Sequence, residues 1–138
     1  MKKRHDTGAF EKQLHAFRQT LKQQLAANNG VPLKVEGTYI DYDMIDQPHA
    51  NFQFINLTEK RIIAFEFTFD CYDAYGQKVK GTFSGNHRIN ANVGHTDLSP
   101  GQGSTYTTDL MWYERTHTLR NILVNKVAYS DGTVWKRK

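Results

Sequence analysis

Between positions 62 and 71 the chain alternates: Ile63, Phe65, Phe67, Phe69 and Cys71 fall on one side, Ala64, Glu66, Thr68 and Asp70 on the other. Successive side chains of a strand face opposite ways. The pattern therefore predicts a long strand with one face on a core and one near water. Shorter runs predict strands over 33–42, including Val35 and Tyr39, and over 51–57, with Phe52 and Phe54 inward. A polar strand is expected over 77–83, at an edge where Lys78 and Lys80 would deter pairing with another chain. Residues 88–93, 106–113, 119–129 and 133–135 complete the set, and on a continuous strand Trp112 and Tyr113 would face opposite sides. Turn chemistry separates these runs at 43–48, 73–76 and 130–132.

Residues 7–28 carry a different period. Phe10, Leu14, Phe17, Leu21 and Leu25 recur at spacings of four, three, four and four, which places them on one face of an amphipathic helix. Asp6 or Thr7 is the expected N-cap, and Asn28, Asn29, Gly30 and Pro32 supply the stop. The narrow apolar stripe suits packing on the strands, or pairing with a second copy to give a homo-oligomer. The pattern thus predicts an all-β antiparallel sandwich of about seven strands with one N-terminal amphipathic helix. Residues 1–31 form the helix and linker, and 32–138 the sandwich.

Charge changes this picture little. The formal net charge is +4, but residues 1–28 carry +4, the last three residues +3, and the stretch between them −3. Nucleic-acid binders interleave basic and aromatic residues on a folded surface, and here the basic charge sits at the ends, so no nucleic-acid partner is expected. No apolar run approaches the roughly 20 residues of a membrane span, nor the ~7–15 of a secretion signal core. The expected compartment is cytoplasmic; the alternative is extracellular or cell-surface, for a chain whose export signal has been removed. A single cysteine, Cys71, excludes an internal disulfide framework.

Candidate chemistry is sparse. Cys71 shares the inward phase of Phe69, where a thiol behaves as a small hydrophobe rather than a nucleophile. Among six histidines no pair has metal-ligand spacing; His87 and His95 with Asp97 are the closest approach to a metal set. Asp41, Asp43 and Asp46 cluster without the central glycine of an EF-hand loop, and read as turn residues. No nucleophile elbow or phosphate-binding glycine loop is present. Neither a catalytic role, a bound metal nor a cofactor is expected. The 17 aromatic residues carry more weight. The phenylalanines fall in core strands, whereas Tyr42, Tyr72, Tyr75, Trp112 and Tyr113 fall near turns and strand ends. Exposed aromatic rings suit a protein hot spot or stacking on a sugar, so these five are the candidate binding residues.

Three turn motifs carry a resemblance. Asn56-Leu-Thr58 with Lys60, the long apolar strand, then Tyr72-Asp73 and Gly76 form the first. Leu98-Ser-Pro-Gly101 and Tyr129-Ser-Asp-Gly-Thr133 follow. Together they resemble bacterial FxLYD-type and telokin-like immunoglobulin-fold domains, over roughly residues 35–135. The resemblance implies an immunoglobulin-like sandwich, commonly extracellular and tethered beside other modules, without a general enzymatic role. A binding or interaction domain is therefore expected, presenting loops or an edge strand to another protein or a cell-surface glycan. The alternative is a structural subunit of a phage-related or cell-surface assembly, oligomerising through the helix.

Overall fold

A computed structural model describes residues 2–138, with side chains from residue 8 onward. Helix α1 spans Lys2–Ala27 and is followed by seven strands: β1 Leu33–Tyr42, β2 Pro48–Asn56, β3 Ile62–Tyr72, β4 Arg88–Val93, β5 Gly103–Asp109, β6 Thr118–Tyr129 and β7 Val134–Lys136. The strands form two antiparallel sheets, one of order β1-β2-β5, the other β4-β3-β6-β7. The fold is thus an all-β sandwich with one N-terminal helix.

The core is the face of β2 laid on the face of β3. Phe52 and Phe54 meet Phe65, Phe67 and Phe69, all five rings buried. The Phe52–Phe67, Phe54–Phe65 and Phe54–Phe67 pairs lie 4.8, 5.1 and 5.0 Å apart, edge to face. That geometry sets the positive ring edge against the negative face and adds about 0.5–1.5 kcal/mol per pair beyond burial. Leu33, Leu98, Leu110, Val124 and Val127 close the layer around them.

Helix α1 ends where the sequence stops it. Asn29 and Gly30 adopt φ of 57° and 76°, and the Gly30 amide donates to the Leu25 carbonyl at 2.9 Å. The helix begins earlier than its apolar period, so Asp6 and Thr7 lie within it rather than capping it. The side chains of those two residues lie outside the described set. The stripe is used unevenly: Leu21 is buried, Leu14 and Leu25 are half-buried, and Phe10 and Phe17 are exposed. Phe17 lies across Gly101, where an added Cβ would sit 2.7 Å from the ring, and Arg18 pairs with Glu59 at 2.8 Å. The helix is therefore held at one end of the sandwich.

Four expectations are corrected. No strand forms over 77–83; β4 and β6 already flank β3, leaving room only for an isolated Tyr72–Lys78 bridge. The segment instead folds back, burying Val79 with its amide on the Cys71 carbonyl. The strand expected over 106–113 is Gly103–Asp109, because Leu110 drops into the core and two tight turns follow, Tyr113 N–H to Leu110 and Thr116 N–H to Tyr113. Trp112 and Tyr113 thus occupy a loop. At the start of β3 a register shift between Ile62 and Ala64 inverts the alternation, burying Ile62 and exposing Ile63. Finally Asp70, on the outward face, is buried.

Replacing Phe67 by Ala removes the ring shared by four aromatic contacts, to Phe52, Phe54, Phe65 and Phe69. The expected loss is about 3–5 kcal/mol in urea unfolding. A loss below roughly 1 kcal/mol, the range of a surface substitution, would show that this row does not hold the sheets together.

Candidate functional site

The two ends of the sandwich differ in chemistry. At the helix end the connections are finished by polar side chains. Buried Asn56 accepts from the Thr58 amide and hydroxyl at 2.9 and 2.8 Å and donates to the Lys60 and Leu98 carbonyls at 2.8 and 2.9 Å. Gly101, at φ 75°, donates its amide to the Asn56 carbonyl. Asp131 is drawn down to about 2 by the Thr133 hydroxyl and amide and by Lys60. Lys60 also lies 5.2 Å from the centre of the Tyr129 ring. Asn56-Leu-Thr58, Leu98–Gly101 and Tyr129–Thr133 therefore meet at this end, whereas the Tyr72-Asp73 and Gly76 part of the first motif lies at the other, and each serves backbone closure.

The opposite end is built from the loops 43–47, 73–87 and 110–117. The Pro48 carbonyl accepts the Leu110 amide, Tyr72 accepts the His117 amide at 2.7 Å, and Trp112 accepts the Thr82 amide at 3.2 Å. Asp43 and Asp73 each accept two amides of their own turn at 2.9 Å, Ile45 and Gln47 for one, Tyr75 and Gln77 for the other. The Gln47 amide is the main cause of the lowered Asp43 carboxyl. These turns are well satisfied, yet they lift apolar side chains into water. Met44 is fully exposed, and Tyr75, Phe83 and Ile45 are 90 %, 78 % and 75 % exposed. Met111, Trp112 and Tyr42 add exposed surface, and Phe83 packs edge-to-face on Trp112 at 4.6 Å.

The five sequence candidates divide. Tyr42, Tyr75 and Trp112 are exposed at this end. Tyr72 is half-buried under Arg120, whose guanidinium lies 4.5 Å from the ring centre. Tyr113 packs against Gly81 and hydrogen-bonds Ser84 at 3.2 Å, so its ring supports the loops. A cleft of about 450 Å³ separates Lys78, Lys80 and Thr82 from Trp112, Glu114 and Arg115. Met44, Ile45, Phe83 and Met111 were not singled out in the sequence. An apolar pair inside a turn bracketed by Asp43 and Asp46 was the signal that could have found the first two.

Beside this end lies a polar cluster on the outer face of β3. Asp70 accepts from Arg88 Nε and Nη2 at 2.9 and 3.2 Å and from Asn121 Nδ2 at 2.8 Å. Asn121 adopts φ 56° where the β3–β6 register shifts, which turns its amide onto the carboxylate. The Arg88 hydrogen bonds hold the Asp70 carboxyl below its ordinary value despite burial. Burial pushes the Cys71 thiol up to about 11, so it is neutral at physiological pH. His87 and His95 flank opposite ends of β4, and Asp97 pairs with Arg61 at 3.2 Å. Among the described residues no three metal-ligating side chains form a group, and no helix is long and apolar enough to cross a membrane.

These features define the class: a helix-capped, seven-stranded antiparallel β-sandwich with a polar, closed end and an apolar, open one. Among solved structures it is similar to a hypothetical protein from Peptoclostridium difficile 630, at 17 % identity and a TM-score of 0.56. The match covers 78 % of this chain and 87 % of that one, and at such identity it shows the fold alone. A structural-genomics target aligns over 75 % of this chain and 79 % of its own, at 15 % identity and a TM-score of 0.37, and nothing rests on it. No protein-family model and no curated protein matches the sequence.

The Asp70 cluster makes an ordered prediction. Arg88→Ala leaves a buried carboxylate with Asn121 alone and should cost about 3 kcal/mol, whereas Asp70→Ala frees a half-exposed guanidinium to water and should cost about 1–2 kcal/mol. The folded carboxyl lies below 3.8, so its contribution is present above that value and fades as pH falls through the lower, folded one. Urea unfolding between neutral and acid pH checks both. Equal losses, or an acid dependence unchanged in Asp70→Ala, would contradict the assignment.

Proposed function

We propose that this protein is a non-catalytic interaction module that engages another protein through the open end of the sandwich. One observation carries the reading: Met44, Ile45, Tyr75, Phe83, Met111 and Trp112, drawn from three separate loops, are all exposed at the same end. Loop tips ordinarily carry small polar residues, and a monomer gains nothing by wetting this much apolar surface. The charges around the patch are mixed, Asp43, Asp46, Asp73 and Glu114 against Lys78, Lys80 and Arg115. An apolar centre inside a polar rim is the anatomy of a protein interface. A glycan is the weaker fit: Met44, Ile45 and Met111 offer neither hydrogen bonds nor a flat ring to a sugar.

The same reading, on the turn motifs, takes the domain for an immunoglobulin-like sandwich of FxLYD type. Strand order supports the immunoglobulin-like part of it alone. The β1-β2-β5 sheet corresponds to strands A, B and E of that topology, and β3-β6-β7 to C, F and G, with β4 moved beside C. A second reading, a subunit that self-associates through the helix, draws on the exposure of Phe10 and Phe17 along an otherwise docked stripe.

The test is capture of a binding partner by the native protein and by Met44→Ser/Ile45→Ser/Trp112→Ala. The triple variant should retain its melting temperature and lose a captured protein by roughly tenfold or more, as truncation of a hot spot does. Retention of every captured protein by a folded variant would refute the loop-end reading. A fall in molar mass on changing Phe10 and Phe17 to Ser would favour the second.

A further inference from the structure

Sheet edges are where a sandwich can join another chain, because an edge strand presents unpaired amides and carbonyls. Among the described residues there are four such edges, and three are guarded. Strand β1 is broken by a register shift between Val35 and Gly37 and carries Lys34, Glu36 and Asp41. Strand β7 is three residues long and runs into Lys136, Arg137 and Lys138. Strand β4 is short and begins at Arg88, which is committed to Asp70. Strand β5 is the least guarded: it is one residue longer than β4, and its one charge, Asp109, comes at the last position. It reads Gly-Ser-Thr-Tyr-Thr-Thr-Asp, pairs with β2 in unbroken register, and has no proline and no charge before Asp109.

The direction of its free hydrogen-bonding groups follows from the β2 ladder. The Asn56 amide donates to Gln102 at one end of the β2–β5 pairing, and the Leu110 amide donates to Pro48 at the other, both at 3.0 Å. Hydrogen-bonded and non-hydrogen-bonded pairs alternate in an antiparallel ladder, so Ser104, Tyr106 and Thr108 bond to β2. Gly103, Thr105, Thr107 and Asp109 then aim their amides and carbonyls at the open side. Apart from the half-buried Tyr106 and Thr108, the residues of this strand are exposed.

We infer that β5 pairs with β5 of a second copy, antiparallel about a two-fold axis through Tyr106, joining two three-stranded sheets into one of six. The sequence is complementary to itself in that register. Thr105 meets Thr107 of the other copy, Gly103 meets Asp109, and each is an outward-bonding residue, so the new ladder is hydrogen-bonded at every pair it needs. Threonine pairs across strands are favourable, and like charges directly opposite are not. Here the single charge on the strand faces a glycine. The two Asp109 carboxylates lie six residues apart along the new ladder, about 20 Å at strand spacing, which is beyond the screening length of roughly 8 Å at physiological salt. This surface is separate from the loop end and from the helix stripe, so a dimer built on it leaves both free.

Sedimentation of the full chain from roughly 1 µM to 1 mM should show a monomer–dimer equilibrium, a range that covers the weak affinities expected of one strand pair. Thr105→Pro removes an outward amide that β2 does not use, and edge strands tolerate proline there. It should weaken the dimer about tenfold or more while the folded monomer persists. Hydrogen exchange on the unaltered chain gives a second readout: amides of 103, 105, 107 and 109 should gain protection as concentration rises, and those of 104, 106 and 108 should be protected throughout. A chain that stays monomeric across the range would overturn the inference. So would a dimer that survives Thr105→Pro or is abolished by Phe10→Ser/Phe17→Ser, and so would exchange at the four outward amides that ignores concentration.

Discussion

Contact between the phenylalanines of β2 and those of β3 is the constraint on which the other features of this molecule depend. Phe67 is the hub, with ring centres of Phe52 and Phe54 within about 5 Å and Phe65 and Phe69 on either side. Edge-to-face packing fixes the offset of one sheet over the other, since sliding one sheet along the other would pull the Phe52 and Phe54 rings off the edges and faces of Phe65 and Phe67. Once β3 is pinned against β2, its two edges take β4 and β6, and the segment 77–87 is left with no place in the sheet. Loop identity at the open end is thus a consequence of core packing several residues away.

The two ends of the sandwich are chemically unlike, and the proposed interaction rests on that asymmetry. At the helix end Asn56 ties Thr58, Lys60 and Leu98 together, Gly101 admits the Phe17 ring, and Lys60 bridges to Asp131 at 3.1 Å. Buried polar groups there are paired, which rigidifies a junction between helix and sheets. At the open end the backbone is equally well satisfied, by Asp43 and Asp73 within their turns, but the side chains are not covered. In the proposed role, a turn already ordered around Met44 or Tyr75 would lose little entropy on being covered by a partner. The bare edge of β5 is a second uncovered feature, of backbone rather than side-chain character.

Much of the architecture was legible in the sequence because its signals are local. The period of Phe65, Phe67 and Phe69 placed β3, the spacing of Leu14, Phe17 and Leu21 placed α1, and Asn29-Gly30 and Asp131-Gly132 placed turns whose glycines adopt positive φ. The binding candidates were half legible. Tyr42, Tyr75 and Trp112 are exposed where turn position suggested, but Tyr113 and Tyr72 have tasks inside the molecule, packing on Gly81 and under Arg120. Where the reading slipped, a nonlocal partner was responsible. Lys78-Val79-Lys80 alternates like a strand, yet no strand edge is free to receive it.

What the sequence alone determined is therefore the inventory: one helix, the long strands, their inward faces and their turns, each set by periodicity and by the φ preferences of single residues. Tertiary structure decided which elements are neighbours, and with that the burial of Asp70, whose phase points it at water and whose Arg88 and Asn121 lie 18 and 51 residues away. It also decided that apolar tips from three loops share one end. Periodicity reports the face on which a side chain lies, whereas exposure depends on what the rest of the chain brings to that face, and no local window contains that information.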